Sequence, residues 1–283
     1  MCDLDHFEED RREFEARGLV TRKEFSAMLG AAGLAMMLSR PANAVEVSDR
    51  EVNVPTPDGT ADCYFVYPSS GTAPGVILWP DIFGLRPAMR QMGKRLAESG
   101  YAVLVVNPFY RRQKGNTSTT NPPMQEMMPL MQSLNETTHM TDAKAFVAWL
   151  DQQPQVAKNR KMGAQGYCMG GPIALRTAAA APNRVGAAAS FHGAALVTPG
   201  DNSPHIQASK TQASFLIAIA ANDDQRAPNE KNILKETFEK AGRPAEIEVY
   251  QAAHGWCAID SQVYNQAEAE RAWSRLLALY SKL

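Results

Sequence analysis

The segment Gly166-Tyr167-Cys168-Met169-Gly170-Gly171 constrains this 283-residue chain more than any other stretch. A strand-like run, Lys161–Tyr167, leads into it, and an Ala-rich, helix-like run, Gly170–Ala181, follows. A Gly-x-Cys-x-Gly sequence between a strand and a helix is the thiol form of the nucleophile elbow, a sharp turn that lifts one side chain above a sheet. Glycines on either side let the two arms approach closely around a strained residue. The turn also sets the cysteine at a helix N-terminus, where the helix dipole and unbonded N–H groups favour a thiolate; an ordinary thiol, with a pKa of ~8.5, is mostly protonated at neutral pH. A buried structural cysteine in a Gly-rich turn is the other reading that the motif alone leaves open.

The rest of the chain alternates strands and helices. Val52–Thr56 and Ala61–Tyr67 read as a hairpin around Pro57-Asp58-Gly59. Gly75–Trp79 and Ala102–Asn107 are short apolar runs suited to buried parallel strands, and Gly186–Phe191, Ser214–Ala221 and Ala245–Tyr250 read as three further strands. Helices are expected over Pro87–Ser99, His139–Gln153, Pro228–Ala241 and Tyr264–Leu283. On the second of these, Ala143, Phe146, Val147 and Leu150 share one face. Residues 111–123 are polar and carry Pro and Gly, the composition of a loop. No repeat and no second domain interrupts the pattern. It predicts one α/β domain over residues 45–283, a mostly parallel sheet flanked by helices. Right-handed crossovers then bring the C-terminal ends of the parallel strands to one side, where a site forms.

Residues 1–44 are expected to lie outside this domain. The run Phe25–Leu38 is apolar but too short to span a bilayer comfortably, and Ala42-Asn43-Ala44 supplies an A-x-A cleavage site. That layout predicts export, with a mature chain starting near Val45 and no membrane anchor left after cleavage. Thr21-Arg22-Lys23-Glu24-Phe25 is similar to a twin-arginine signal with Lys23 in place of the second arginine. A retained N-terminal helix on a cytoplasmic protein is the alternative. Cys63, Cys168 and Cys257 remain in the mature chain, and an odd number leaves at least one outside any disulfide. A formal net charge of -1 and the absence of a basic cluster argue against nucleic acid as a partner.

Nucleophilic hydrolysis needs a base beside the nucleophile and a carboxylate to orient the base, in the chain order nucleophile, acid, histidine for this fold class. Asn222-Asp223-Asp224-Gln225-Arg226-Ala227-Pro228 follows one late strand, and Gln251-Ala252-Ala253-His254-Gly255-Trp256 follows the last. His254 is the expected base. Asp224 is the expected acid from its spacing to Pro228, with Asp223 as the alternative and a helix cap as the role of whichever is not used.

With these residues in place, the chain resembles the dienelactone hydrolase family of α/β-hydrolases over essentially the whole segment 45–283. The resemblance rests on GYCMGG at 166–171, Pro80-Asp81-Ile82-Phe83-Gly84 and His254-Gly255-Trp256. It implies an α/β-hydrolase fold, a Cys168–His254–Asp224 triad, and hydrolysis of enol-lactones and related esters with neither a metal nor an organic cofactor. The family commonly has a glutamate where this chain has Asp81, a carboxylate that helps to deprotonate the thiol; the shorter Asp81 is expected either to reach the thiol, directly or through water, or to form polar structure only. The backbone N–H groups of Ile82 and Met169 are the expected oxyanion hole. Thiolate attack would give a thioester, which water activated by His254 would hydrolyse. A thiolate is expelled in preference to an alkoxide, so activated leaving groups such as enolates suit it.

The family's well-studied members bind a substrate carboxylate through arginines, one of them four residues after the histidine. This chain has Ala258 there and no arginine between Pro122 and Thr138. The dienelactone of chloroaromatic degradation is therefore not the expected substrate; Arg111 and Arg112 are the remaining candidates for such a contact. His192 ends a strand near the pocket and is expected either to touch substrate or to form its wall. Phe83, Tyr110 and Trp256, with Trp79, are candidate pocket linings. Met124, Met127, Met128 and Met131 are expected to pack adaptably over the mouth of the site, a copper(I) site being the lesser alternative. A catalytically silent binding protein and a thiol-redox protein using Cys168 and Cys257 are the competing functions.

Overall fold

The computed structural model describes residues 38, 41, 43–116, 122 and 124–283. The export segment expected over residues 1–44 therefore lies almost entirely outside the described residues. An antiparallel hairpin opens the domain, β1 (Val47–Thr56) and β2 (Gly59–Pro68). Then come β3 (Gly75–Trp79), α1 (Pro87–Glu98), β4 (Ala102–Val105), α2 (Met124–Gln132), α3 (Glu136–Gln152), β5 (Met162–Tyr167), α4 (Gly170–Ala180) and β6 (Val185–Phe191). The chain ends with α5 (Pro204–Ser209), β7 (Ser214–Ala220), α6 (Ala221–Arg226), α7 (Glu230–Lys240), β8 (Ala245–Tyr250) and α8 (Gln266–Tyr280).

These strands form one sheet of eight, in the order β1-β2-β4-β3-β5-β6-β7-β8. The pairs β1–β2 and β2–β4 are antiparallel and all others are parallel. Every residue of β3, β4 and β5 is buried, because helices cover both faces of a parallel sheet. On one face α1 and α8 contribute Met89, Leu96, Leu276 and Tyr280 to the core; on the other α3, α4 and α7 contribute Phe146, Leu150, Ile173, Leu175, Leu234 and Phe238. The expected stripe Ala143, Phe146, Val147 and Leu150 is buried in full. Asn135 starts α3 with a reciprocal cap: its side chain accepts from Thr138 N–H, and its own N–H donates to Thr138 Oγ1.

The strand order places the site. From β3 the chain goes out to β4 on one side and returns to β5 on the other, so the sheet reverses direction between β3 and β5. Such a switch point opens a crevice at the strand C-termini. Trp79 pairs with Gly166 there, which sets the loop after β3 beside the turn after β5. Three helices run through segments that the sequence pattern did not resolve: α2, α5 and α6. All are short, and α2 carries Pro129 inside it, which blurs helical periodicity.

Candidate active site

The elbow forms as its glycines require. Cys168 has φ 50°, a left-handed value rare for a residue with a side chain. Its N–H donates to Phe191 O at 3.0 Å, and its carbonyl accepts from Gly171 N–H at 3.0 Å, closing the turn into α4. A Cβ on Gly166 would lie 1.9 Å from Gly170 O, and one on Gly170 would lie 2.5 Å from Trp79 O. Both approaches are backbone on backbone, so no side chain can be tolerated without moving the strand or the helix.

His254 lies in the loop after β8. Its Nδ1 is 2.7 Å from Asp223 Oδ2, and its N–H donates to Asn222 Oδ1 at 2.9 Å. This corrects the expected acid. Asp224 instead accepts from Lys231 Nζ at 2.6 Å. The reason is local: residues 221–226 form the short helix α6, so successive side chains point about 100° apart and only one of two adjacent aspartates can face His254. Neither aspartate caps α7, which starts after Asn229 with no side-chain cap. His192 joins the group from β6. Its ring lies edge-on to His254 with centroids 5.0 Å apart. Tyr167 pairs with Phe191 in the sheet, so Cys168 and His192 leave neighbouring strands side by side.

Asp81 takes the second of the two roles open to it, as part of a polar network. Arg86 Nη1 donates to its Oδ1 at 2.7 Å and Nη2 to its Oδ2 at 2.9 Å, while Phe83 N–H adds a bond to Oδ1 at 3.0 Å. The other side of the same guanidinium grips Asp260, at 2.6 and 2.8 Å. Burial pushes the Asp81 carboxyl up from its ordinary range, and Arg86 opposes that shift. Burial also works against the charge on Arg86, but Asp260 and Asp81 outweigh it and hold the guanidinium protonated. The expectation that Asp81 serves the thiol is thus replaced by an Asp81–Arg86–Asp260 bridge. It ties the loop after β3 to the segment that follows His254. Residues 174 positions apart form its second half, a pairing with no local sequence signal.

Around the thiol the environment is apolar. Cys168, Ile82, Met169, Phe109, Met124 and Met127 form one buried cluster, with Phe83, Met128 and Met131 packed against it. The N–H groups of Ile82 and Met169, which flank the thiol, have no hydrogen-bond acceptor among the described residues. Of the expected pocket residues, Phe83 is at the thiol and His192 is at His254. Tyr110 is not: its hydroxyl is held by Thr56 Oγ1 at 2.6 Å and Asp142 at 2.9 Å, in the core on the α3 face. Trp256 is fully buried, stacked on Tyr250 and edge-on to His192, so it backs the histidine pair from the other face of the sheet. Trp79 is core and donates to Thr177. Arg111 is bound to Asp58 and Asp142, which removes it as a substrate anchor, and Ala258 is buried. No disulfide joins Cys63, Cys168 and Cys257, and burial pushes the Cys257 thiol well up. Among the described residues no cluster of His, Cys, Asp or Glu could hold a metal ion, and no helix is long and apolar enough to cross a membrane.

Comparison with known proteins agrees with this geometry. The chain is 27% identical over 252 residues to a carboxymethylenebutenolidase of Rhodococcus opacus, covering 86% of this chain and 94% of that one. A solved Klebsiella pneumoniae protein described as a candidate dienelactone hydrolase shares the fold with TM-score 0.73 at 23% identity, covering 84% of this chain and all of the other. A dienelactone hydrolase-like promiscuous phosphotriesterase from metagenomic libraries shares it with TM-score 0.67 at 21% identity, covering 84% and 98%. Residues 61–283 match the model of the dienelactone hydrolase family. An elbow cysteine, a carboxylate-bound histidine in the loop after the last strand, and a family match over most of the domain converge: the chain is a hydrolase that belongs to the dienelactone hydrolase family.

Proposed function

We propose that this hydrolase cleaves neutral, activated carboxylic esters or lactones through a Cys168–His254–Asp223 triad and a thioester intermediate. The observation that carries the reading is the 2.7 Å contact between His254 Nδ1 and Asp223, made at the strand ends where His254 packs on His192, the residue that leaves the strand next to that of the elbow cysteine. A carboxylate on Nδ1 holds the imidazole in the tautomer whose Nε2 can take a proton. Cys168 attacks the carbonyl carbon. The unbonded N–H groups of Ile82 and Met169 receive the developing oxyanion, and His254 then activates water to release the acid.

The surroundings support a substrate without a carboxylate. The cluster at the thiol is built of Met, Phe and Ile side chains, while Arg86 and Arg111 are each held between two aspartates. Burying a substrate carboxylate in such a site without a partner would be costly. The thiol-redox alternative has no support from Cys257, which is buried with its thiol pushed up. We also propose export, on the strength of the apolar run and cleavage site within residues 1–44; an intact Met1 on protein recovered from the source cell would refute it.

The test is a panel of aryl esters and enol-lactones, each with and without a carboxylate, assayed with wild type and Cys168→Ala. Turnover of the neutral members that disappears in Cys168→Ala is the expected result. Preference for the carboxylate-bearing members, or equal rates in both proteins, would overturn the reading.

A further inference from the structure

His192 carries two costs that nothing in the fold repays. At the end of β6 its backbone turns to φ 41°, a left-handed conformation that glycine would adopt without strain. Its N–H is fixed by a 2.8 Å bond to Ala218 O of β7, so the residue is anchored at the C-terminal edge of the sheet. Its side chain is 1% exposed, yet neither Nδ1 nor Nε2 has a hydrogen-bond partner in the protein. Around the ring stand His254 at 5.0 Å, Trp256 at 5.1 Å and Tyr167 at 6.1 Å, centroid to centroid. A phenylalanine would fill this place without burying two unsatisfied nitrogens, and such groups are normally satisfied by protein or water. The unpaired imidazole therefore points to a hydrogen-bonding molecule that joins the two histidines alongside their ring contact.

We propose that His192 holds the water that hydrolyses the acyl-Cys168 intermediate and presents it to His254. The inference rests on the triad reading above. Burial, reinforced by His254, lowers the His192 imidazole well below its ordinary pKa, so the ring is neutral and has one accepting nitrogen and one N–H donor. The accepting nitrogen takes one O–H of the attacking water, and the N–H donates into the same chain of waters. In the step itself the water oxygen forms a bond to the thioester carbon and its other proton passes to His254. The C–S bond then breaks, its electron pair returns to the Cys168 sulfur, and the product leaves as the carboxylic acid. His192 neither gains nor loses a net proton.

The experiment follows para-nitrophenyl acetate hydrolysis in the pre-steady state, with wild type, His192→Phe and His192→Gln. Phenylalanine keeps the shape and removes both nitrogens; glutamine keeps a donor and an acceptor and also serves if the phenylalanine variant fails to fold. Expected for His192→Phe is an initial nitrophenolate burst at a rate within about 3-fold of wild type, followed by steady-state turnover lowered about 100-fold, the scale on which misplacing a reactant acts. Acetyl-enzyme then accumulates on Cys168 and is seen by intact-protein mass. Hydroxylamine, a nucleophile strong enough to react without being held, restores turnover, and His192→Gln retains part of it. An equal fall in burst and steady-state rates, a rise in KM alone, or unchanged turnover in the folded variants would overturn the proposal. Failure of the triad reading looks different: wild type trapped during turnover would then carry no acetyl group on Cys168, whatever residue occupies position 192.

Discussion

The adjacent aspartates 223 and 224 offer a controlled perturbation, because each Asp→Asn change removes one charge from neighbouring positions of the same short helix. Asp223 Oδ2 sits 2.7 Å from His254 Nδ1, and both side chains are largely buried. An amide there presents an N–H where the imidazole Nδ1–H needs an acceptor, which favours the wrong tautomer. In a triad that change costs on the order of 10⁴-fold in kcat, or about 5 kcal/mol of transition-state stabilisation. Asp224 loses only its 2.6 Å ion pair with Lys231, whose side chain is 32% exposed. A pair of that kind is worth about 0–1 kcal/mol, and none of it acts on the reacting atoms. Asp223→Asn is therefore expected to lose at least about 10³-fold in kcat on an activated aryl ester. Asp224→Asn is expected to stay within about 3-fold of wild type, with a similar melting temperature. The assay is steady-state kinetics on both variants with thermal unfolding as the folding control. Comparable losses in the two variants, or near wild-type activity in a folded Asp223→Asn, would refute the assignment.

Three other outcomes follow from the packing and charge described above. Arg86→Met strands the carboxylates of Asp81 and Asp260 without their cation; removing one partner from a buried pair costs about 3–5 kcal/mol, and the melting temperature should fall by roughly 10 °C. A fall of less than about 2 °C would contradict the bridge. Gly170→Ala puts a Cβ 2.5 Å from Trp79 O and 2.6 Å from Pro80 O, so it should destabilise by at least about 3 kcal/mol in urea unfolding, and a neutral result would show that α4 can slide away from β3. His139 is half-buried beside Arg176, and desolvation first, then Arg176, lowers its pKa from 6.5 to about 3. Between those values the unfolded chain binds more protons than the folded one, so stability is intact above pH 6.5 and is lost as pH falls toward 3. His139→Gln should flatten this acid dependence by up to about 1.4 kcal/mol per pH unit between pH 6 and 4, measured by urea unfolding at each pH; an unchanged slope would count against a neutral His139.

What could be read from sequence was what repeats or what is local. The strands Gly75–Trp79 and Ala245–Tyr250 have the expected bounds; for the first, a short apolar run covered on both faces has one way to be buried. The elbow was legible because Gly166 is required by its close approach to Gly170, within a few residues of Cys168, and His254 because nucleophile-acid-histidine order along the chain is a consequence of the strand order. The short helices α2, α5 and α6 were not legible, since six to nine residues give too few turns for a period to show.

The places where structure departs from sequence expectation share one cause. Choosing between Asp223 and Asp224 depends on which side chain a single turn of helix aims at a histidine 31 residues away. The fate of Asp81 depends on Arg86, five residues on, being turned inward and held from its far side by Asp260. Tyr110, a candidate pocket residue by sequence, is drawn into the opposite core by Asp142. Sequence alone determined the fold class and where along the chain the elbow cysteine and the loop histidine fall, because these rest on periodicity, glycine sterics and chain order. Tertiary structure alone decided which carboxylate meets the imidazole, which charges neutralise one another, and which buried nitrogens stay unpaired, because each depends on the direction of a side chain in space and on a partner far away along the chain.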